Sequence, residues 1–189
     1  EYVFKRRGPM TMGASQLCGF AKSDPNRDTP NLQFHIQPIS TDKLGGANLH
    51  DFHAFTPTVA NIRPTSRGEI SISSSDTKVN PKIKMNYLST DEDRKVAADG
   101  IKLIRKIVME TNEFKKYEPK EFRPGSHLNE KEEIVKACSH YAQTIFHPVG
   151  TCKMGNDESA VVSDKLKVHG INKLRVIDAS IMPNITSGN

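Results

Sequence analysis

The sequence predicts an α+β fold: one antiparallel sheet of about five or six strands with helices packed against it. Three observations lead there. Strand-like runs crowd the first half of the chain, two amphipathic helical patterns follow them, and the two kinds of element do not alternate as in a parallel βαβ protein.

The first strand signal is 31–38, NLQFHIQP, where Leu32, Phe34 and Ile36 fall on one side. That period of two marks a half-buried strand. The second is 55–62, FTPTVANI, whose Pro57 lacks a backbone donor and so points to a sheet edge or a bulge. Arg67-Gly68 makes a turn into 69–73, EISIS, and Ile83, Met85 and Tyr87 alternate in KIKMNY. Much later, 173–178, KLRVID, reads as a buried strand ending in an acid.

The first helix is expected over 91–110. Ser89 or Thr90 can cap it, Asp91, Glu92 and Asp93 suit its positive end, and Val96, Ile101, Ile104 and Val108 form its apolar face. The second is expected over 130–145, capped by Asn129, with Ile134, Val135, Cys138, Tyr141, Ala142 and Ile145 as its stripe. On that stripe Cys138 reads as core rather than as a reactive thiol.

A chain of 189 residues suits one domain with a real core, and we read 1–189 as a single unit. Charged residues at 26% and a net charge of +5 place it among globular proteins, not disordered ones. The basic residues are scattered, with no aromatic-interleaved stripe, so no nucleic-acid partner is expected. No apolar run approaches the roughly 20 residues of a membrane span. Three cysteines, with no CxxC pair, suit free thiols in a reducing compartment and offer no zinc ribbon. The first residue is Glu, not Met, and the chain ends at Asn189 straight after a turn, so we expect a piece of a longer polypeptide.

The densest chemical signal is 146–155, FHPVGTCKMG, where His147 sits between a helical pattern and a Gly-bearing loop. Such a joint can aim an imidazole into a cleft, although a lone histidine is more often structural. The second is 176–183, VIDASIMP, followed by 187–189, SGN. An acid followed by small residues permits close approach to a ligand, yet on spacing alone Asp178 reads more readily as the cap of a turn. His50 and His53 have HxxH spacing without a third ligand, so no metal is expected. Cys152 lies five residues from His147 in a loop, which is not an arrangement for a thiol nucleophile. No GxGxxG occurs, so the chain supplies no Rossmann phosphate loop.

Taken together, FHPVGTCKMG and the closing VVSDKLKVHGINKLRVIDASIMPNITSGN resemble the C-terminal signature of the glucose–methanol–choline (GMC) oxidoreductases, nearest the choline-dehydrogenase-like and other alcohol-dehydrogenase branches. Gly8-Pro9, NLQFHIQP, RPTSRG and NYLSTDEDR are similar to that family's substrate domain, and the resemblance is weakest at 111–128. It implies oxidation of a primary alcohol, whether choline-like, aliphatic or aromatic, to the aldehyde. It implies FAD, bound mainly by an N-terminal domain of the same polypeptide that precedes these residues. His147 matches the catalytic base and Asn189 the second catalytic position, which is Asn or His in the family. Asp178 and Ala179 match the segment that approaches the flavin. The chain stops at Asn189, before the family's last helix. A cytoplasmic location is expected, with membrane association through an electron acceptor as the alternative.

The residue types suit that chemistry. A neutral histidine accepts the hydroxyl proton, an amide donates to the developing alkoxide, and the flavin takes the hydride. His147 and Asn189 are expected on one open face, within about 4–7 Å of each other so that both reach one substrate oxygen, with Asp178 and Ala179 on its border. The alternative is a non-catalytic remnant or binding module that holds no flavin.

Overall fold

The alternating run at 31–38 becomes the central strand of a three-stranded sheet in the computed structural model, which describes residues 2–8, 11–13, 15–42 and 48–188. After a short helix, α1 (Tyr2–Lys5), come β1 (Leu17–Ala21), β2 (Leu32–Gln37) and β3 (Thr56–Asn61), all antiparallel and in that spatial order. Pro57 lies on β3, opposite Ile36, and β3 is an edge strand of this sheet, as the missing donor requires. The next two strands, β4 (Glu69–Ser71) and β5 (Lys82–Lys84), form a separate two-stranded sheet with Glu69 opposite Lys84. The α+β class therefore stands. The single sheet of five or six strands does not: among the described residues there are three strands in one sheet and two in another.

Three helices follow: α2 (Asp91–Glu110), a short α3 (Asn112–Lys115) and α4 (Lys131–Tyr141). The bounds of α2 match the expectation. Thr90 Oγ1 accepts the Asp93 N–H at 3.2 Å, so Thr90 is the residue that caps it. The cap of α4 is Glu130 rather than Asn129. Glu133 Oε2 accepts the backbone N–H groups of both residues at 3.3 Å, while the Asn129 amide turns back toward the carbonyls of Ser126 and His127. The same helix ends at Tyr141, four residues before the expected 145, because Ala142 is already extended (φ −68°, ψ 146°). Of its expected stripe Ile134 is buried and Tyr141 is half exposed, while Ala137, outside that stripe, is buried too.

The chain divides into two compact units: 1–61 with 96–143, and 62–95 with 144–189. The first unit is built on Leu32 and Phe34 of β2 and Val96 of α2, with Ala21, Val59, Leu103 and Ile104 packed around them. Gly100, a poor helix former, is tolerated because α2 lies close to β3: a Cβ there would be 3.1 Å from both methyls of Val59. Arg105 organises the 121–128 stretch, giving two bonds to Glu121 at 2.9 Å each and others to the carbonyls of Gly125 and Leu128. In the same unit His50 stacks on Phe52 and bonds Ser40 and Asp42.

The second unit buries Ile62, Val162 and Asp93. The Asp93 carboxylate accepts the N–H groups of Thr65 (2.9 Å) and Ser66 (2.8 Å). Burial pushes its carboxyl up, but hydrogen bonds from Ser66 and Thr65 outweigh that and hold it below the ordinary carboxylate range. No described helix is long and apolar enough to cross a membrane.

Gly68 marks the tightest backbone approach in this unit, since a Cβ there would lie 2.2 Å from the Lys84 carbonyl oxygen. Replacing Gly68 with Ala must push β4 and β5 apart. Gly68→Ala is expected to lower stability by about 1–3 kcal/mol in denaturant unfolding, and an unchanged midpoint would show that the strands can give way freely.

Candidate active site

The residues that resemble a catalytic signature all belong to the second unit, 62–95 with 144–189. His147 does not sit directly at a helix end, since α4 has stopped at Tyr141. The stretch leading to it is irregular. Thr144 Oγ1 accepts the Phe146 N–H at 3.0 Å, and Phe146 itself takes a left-handed conformation (φ 64°). His147 is exposed. Its Nδ1 bonds the Ile145 carbonyl oxygen. A carbonyl only accepts, so Nδ1 carries the hydrogen, and in the neutral ring the lone pair is left on Nε2. The local fold thus selects the tautomer in which Nε2 can take a proton.

Past Pro148 the chain is pinned to the segment that carries Asp178 and Ala179. The Cys152 N–H donates to the Ser180 carbonyl at 2.9 Å, and the Met154 N–H to the Ile181 carbonyl at 2.8 Å. At Gly150 (φ 90°) the two segments also run close, since a Cβ there would be 3.3 Å from the Met182 carbonyl oxygen. Both sequence signals are therefore neighbours, joined backbone to backbone.

The expected buried strand at 173–178 is absent. Lys173 has a left-handed backbone (φ 63°), which breaks the extended run, and what remains is an isolated bridge between Lys167 and Arg175. Ile177 is 71% exposed, so the run is not buried either. Asp178 is exposed and caps a 3₁₀ turn, Ala179–Ile181, by accepting the Ser180 N–H at 2.8 Å. Hydrogen bonds from Ser180, its hydroxyl first and its N–H second, hold the Asp178 carboxyl below the usual range. The capping role that spacing favoured is thus present. Asn189 lies outside the described residues.

Further side chains brace the same loop. Lys153 Nζ bonds both oxygens of Asp157 at 3.0 Å and the Ser159 hydroxyl at 2.8 Å. The His169 ring donates from Nε2 to the Gly155 carbonyl at 3.1 Å. Cys152 is half-buried and uses its N–H in the pairing with Ser180; all three cysteines are free. Among the described residues no group of three His, Cys, Asp or Glu side chains could hold a metal ion.

The profile of one protein family, described as GMC oxidoreductase, matches residues 64–189. The chain belongs to the GMC oxidoreductase family. All 189 residues align with an alcohol dehydrogenase [acceptor] of Pseudomonas putida at 42% identity, covering 34% of that protein. They also align with an oxygen-dependent choline dehydrogenase of Proteus mirabilis (strain HI4320) at 40%, again over 34% of it. A structure of Aspergillus oryzae RIB40 formate oxidase, a variant studied for FAD modification, superposes with a TM-score of 0.79 at 26% identity, covering 97% of this chain and 36% of that one. This GMC oxidoreductase chain spans about a third of the length of the curated relatives it matches.

The residues here suit the edge of a flavin rather than its phosphates. Ala179 is small, exposed and first in its turn, where a backbone N–H has no partner within the turn, and the anionic Asp178 stands beside it.

The brace on the His147 loop should be visible by titration. Hydrogen bonds from the Ser159 hydroxyl and then from Lys153 lower the Asp157 carboxyl from 3.8 to about 2. A lowered acid stabilises the folded loop above its unfolded value, and that help is lost as pH falls through the folded value. NMR titration should place the Asp157 midpoint near 2, moving toward 3.8 in Ser159→Ala. A midpoint already near 3.8 in the parent protein would contradict the brace.

Proposed function

We propose that these residues form the C-terminal, substrate-binding part of an FAD-dependent alcohol oxidoreductase that oxidises a primary alcohol to the aldehyde. One observation carries the reading: the exposed His147 has Nδ1 tied to the Ile145 carbonyl and Nε2 open, on a loop pinned beside the Asp178–Ala179 turn. Membership of the GMC family, with an alcohol dehydrogenase and a choline dehydrogenase among the relatives, supports the substrate class.

In this reading the alcohol hydroxyl donates to His147 Nε2, which takes the proton as the carbon is oxidised. The Ile145 carbonyl accepts from Nδ1 throughout and keeps the ring in place. The Asn189 amide donates to the same oxygen and stabilises alkoxide character without competing as a base. Ala179 and Asp178 would hold the cofactor edge. FAD, when bound, supplies the hydride acceptor. The partner is the flavin-binding domain of the same polypeptide, and the substrate is a small choline-like, aliphatic or aromatic alcohol.

His147→Ala in the intact protein is expected to lower alcohol turnover by about 10²–10⁴-fold while flavin absorbance is retained. Turnover equal to that of the parent would sink the assignment. Cys152→Ser is expected to keep most activity, because only its backbone takes part in the pairing with Ser180. Loss of activity with fold and flavin intact would give the thiol a role.

A further inference from the structure

The β4–β5 ribbon alternates strictly. Ile70 lies opposite Ile83, while the flanking pairs Glu69–Lys84 and Ser71–Lys82 fall on the other side. Ile72 and Met85 extend the apolar series one step past each strand. Ile70 is 53% exposed, Ile72 88% and Ile83 59%. The polar side needs no cover, since Lys84 Nζ pairs with Glu69 Oε1 at 3.1 Å where both are open to solvent. Val79 is exposed as well, and with Ile72 and Pro81 it lines a hollow at the tip of the ribbon. That tip is set in advance. The Ser73 hydroxyl donates to the Asn80 carbonyl at 2.5 Å, and the Asp76 carboxylate accepts the Lys78 N–H at 3.0 Å.

A two-stranded ribbon alone is marginal in water and needs a third strand or a packed face. Among the described residues no third strand joins this one. Isoleucines gathered on one side and charges on the other are the pattern of a sheet with one buried face. The size of the face indicates the kind of partner. Its few aliphatic side chains offer on the order of 500 Å² or less, below the roughly 800 Å² that each partner gives a stable dimer. A second copy must also offset the freedom lost on association. A domain on the same backbone meets the face at a high effective concentration set by the tether. Lys82 and Lys84 on β5 oppose edge-to-edge pairing between copies, where like charges would meet. The chain spans 34% of the alcohol and choline dehydrogenases it aligns with, so in proteins of that length most of the polypeptide lies outside these residues.

We infer that the face formed by Ile70, Ile72 and Ile83 is an internal docking surface, covered in the intact protein by an apolar surface of the flavin-binding domain. This rests on the reading above that such a domain belongs to the same polypeptide. Ile72 and the hollow beside it are the anchor. The ribbon belongs to the compact unit that also carries the His147 loop and the Asp178–Ala179 turn.

The test uses the intact holoenzyme. Hydroxyl-radical footprinting of the unmodified protein is expected to show Ile72 protected at least about tenfold relative to the same segment as a free peptide. That protection should not change on dilution. A photoreactive benzoylphenylalanine in place of Ile72 is then expected to cross-link to the flavin-binding domain at the mass of one chain. If that protein fails to fold, the same probe in place of Val79 decides. Ile72 labelled as fast as in the peptide overturns the inference. So does a cross-link at the mass of two chains, or one confined to residues 1–189. An intact protein that binds no flavin would instead sink the functional reading, and the cross-link would still decide whether the rest of the polypeptide covers this face.

Discussion

The pairing of two irregular segments, 150–154 with 180–182, is the constraint on which the candidate site depends. It consists of two backbone bonds, Cys152 to Ser180 and Met154 to Ile181, and one close approach at Gly150. Neither segment is a strand, so no sheet would place one beside the other. The pairing uses backbone groups, which every residue except proline can supply in full. Most side chains along it are therefore replaceable. Gly150 is not, because its left-handed φ of 90° and the Met182 carbonyl at 3.3 Å together leave no comfortable place for a Cβ.

Much of the fold was legible where local chemistry and burial agree. The acidic first turn and Thr90 mark the start of α2, and its apolar period runs to the last turn. The alternation in 31–38 marked a strand, and of the edge or bulge that Pro57 allowed, the edge is what is found. Legibility failed where backbone conformation overrides composition. KLRVID has a strand's composition, yet the left-handed Lys173 breaks it and Ile177 faces solvent. The missed strand β1, LCGFA, carries Gly19 in its middle and exposes Leu17 and Phe20, so no alternation announced it.

The site was legible as a set of residues and illegible as a mechanism of support. FHPVGTCKMG drew attention to His147, but nothing in the spacing says that Nδ1 bonds the Ile145 carbonyl. The left-handed Phe146 between them lets the ring fold back on its own chain. Asp157 and His169 act through contacts 4 and 14 positions away in sequence. Charged residues in loops look alike in a sequence, and only the folded chain separates a solvated lysine from one that closes a loop.

The role of His147 depends most on which ring nitrogen carries the proton. Nitrogen-15 NMR of the imidazole, recorded on the intact protein above the histidine midpoint, reads this directly. With Nδ1 donating to the Ile145 carbonyl, the spectrum should show Nδ1 protonated and Nε2 bearing the lone pair. A ring with the hydrogen on Nε2 could not accept the alcohol proton there, and that result would contradict His147 as the base.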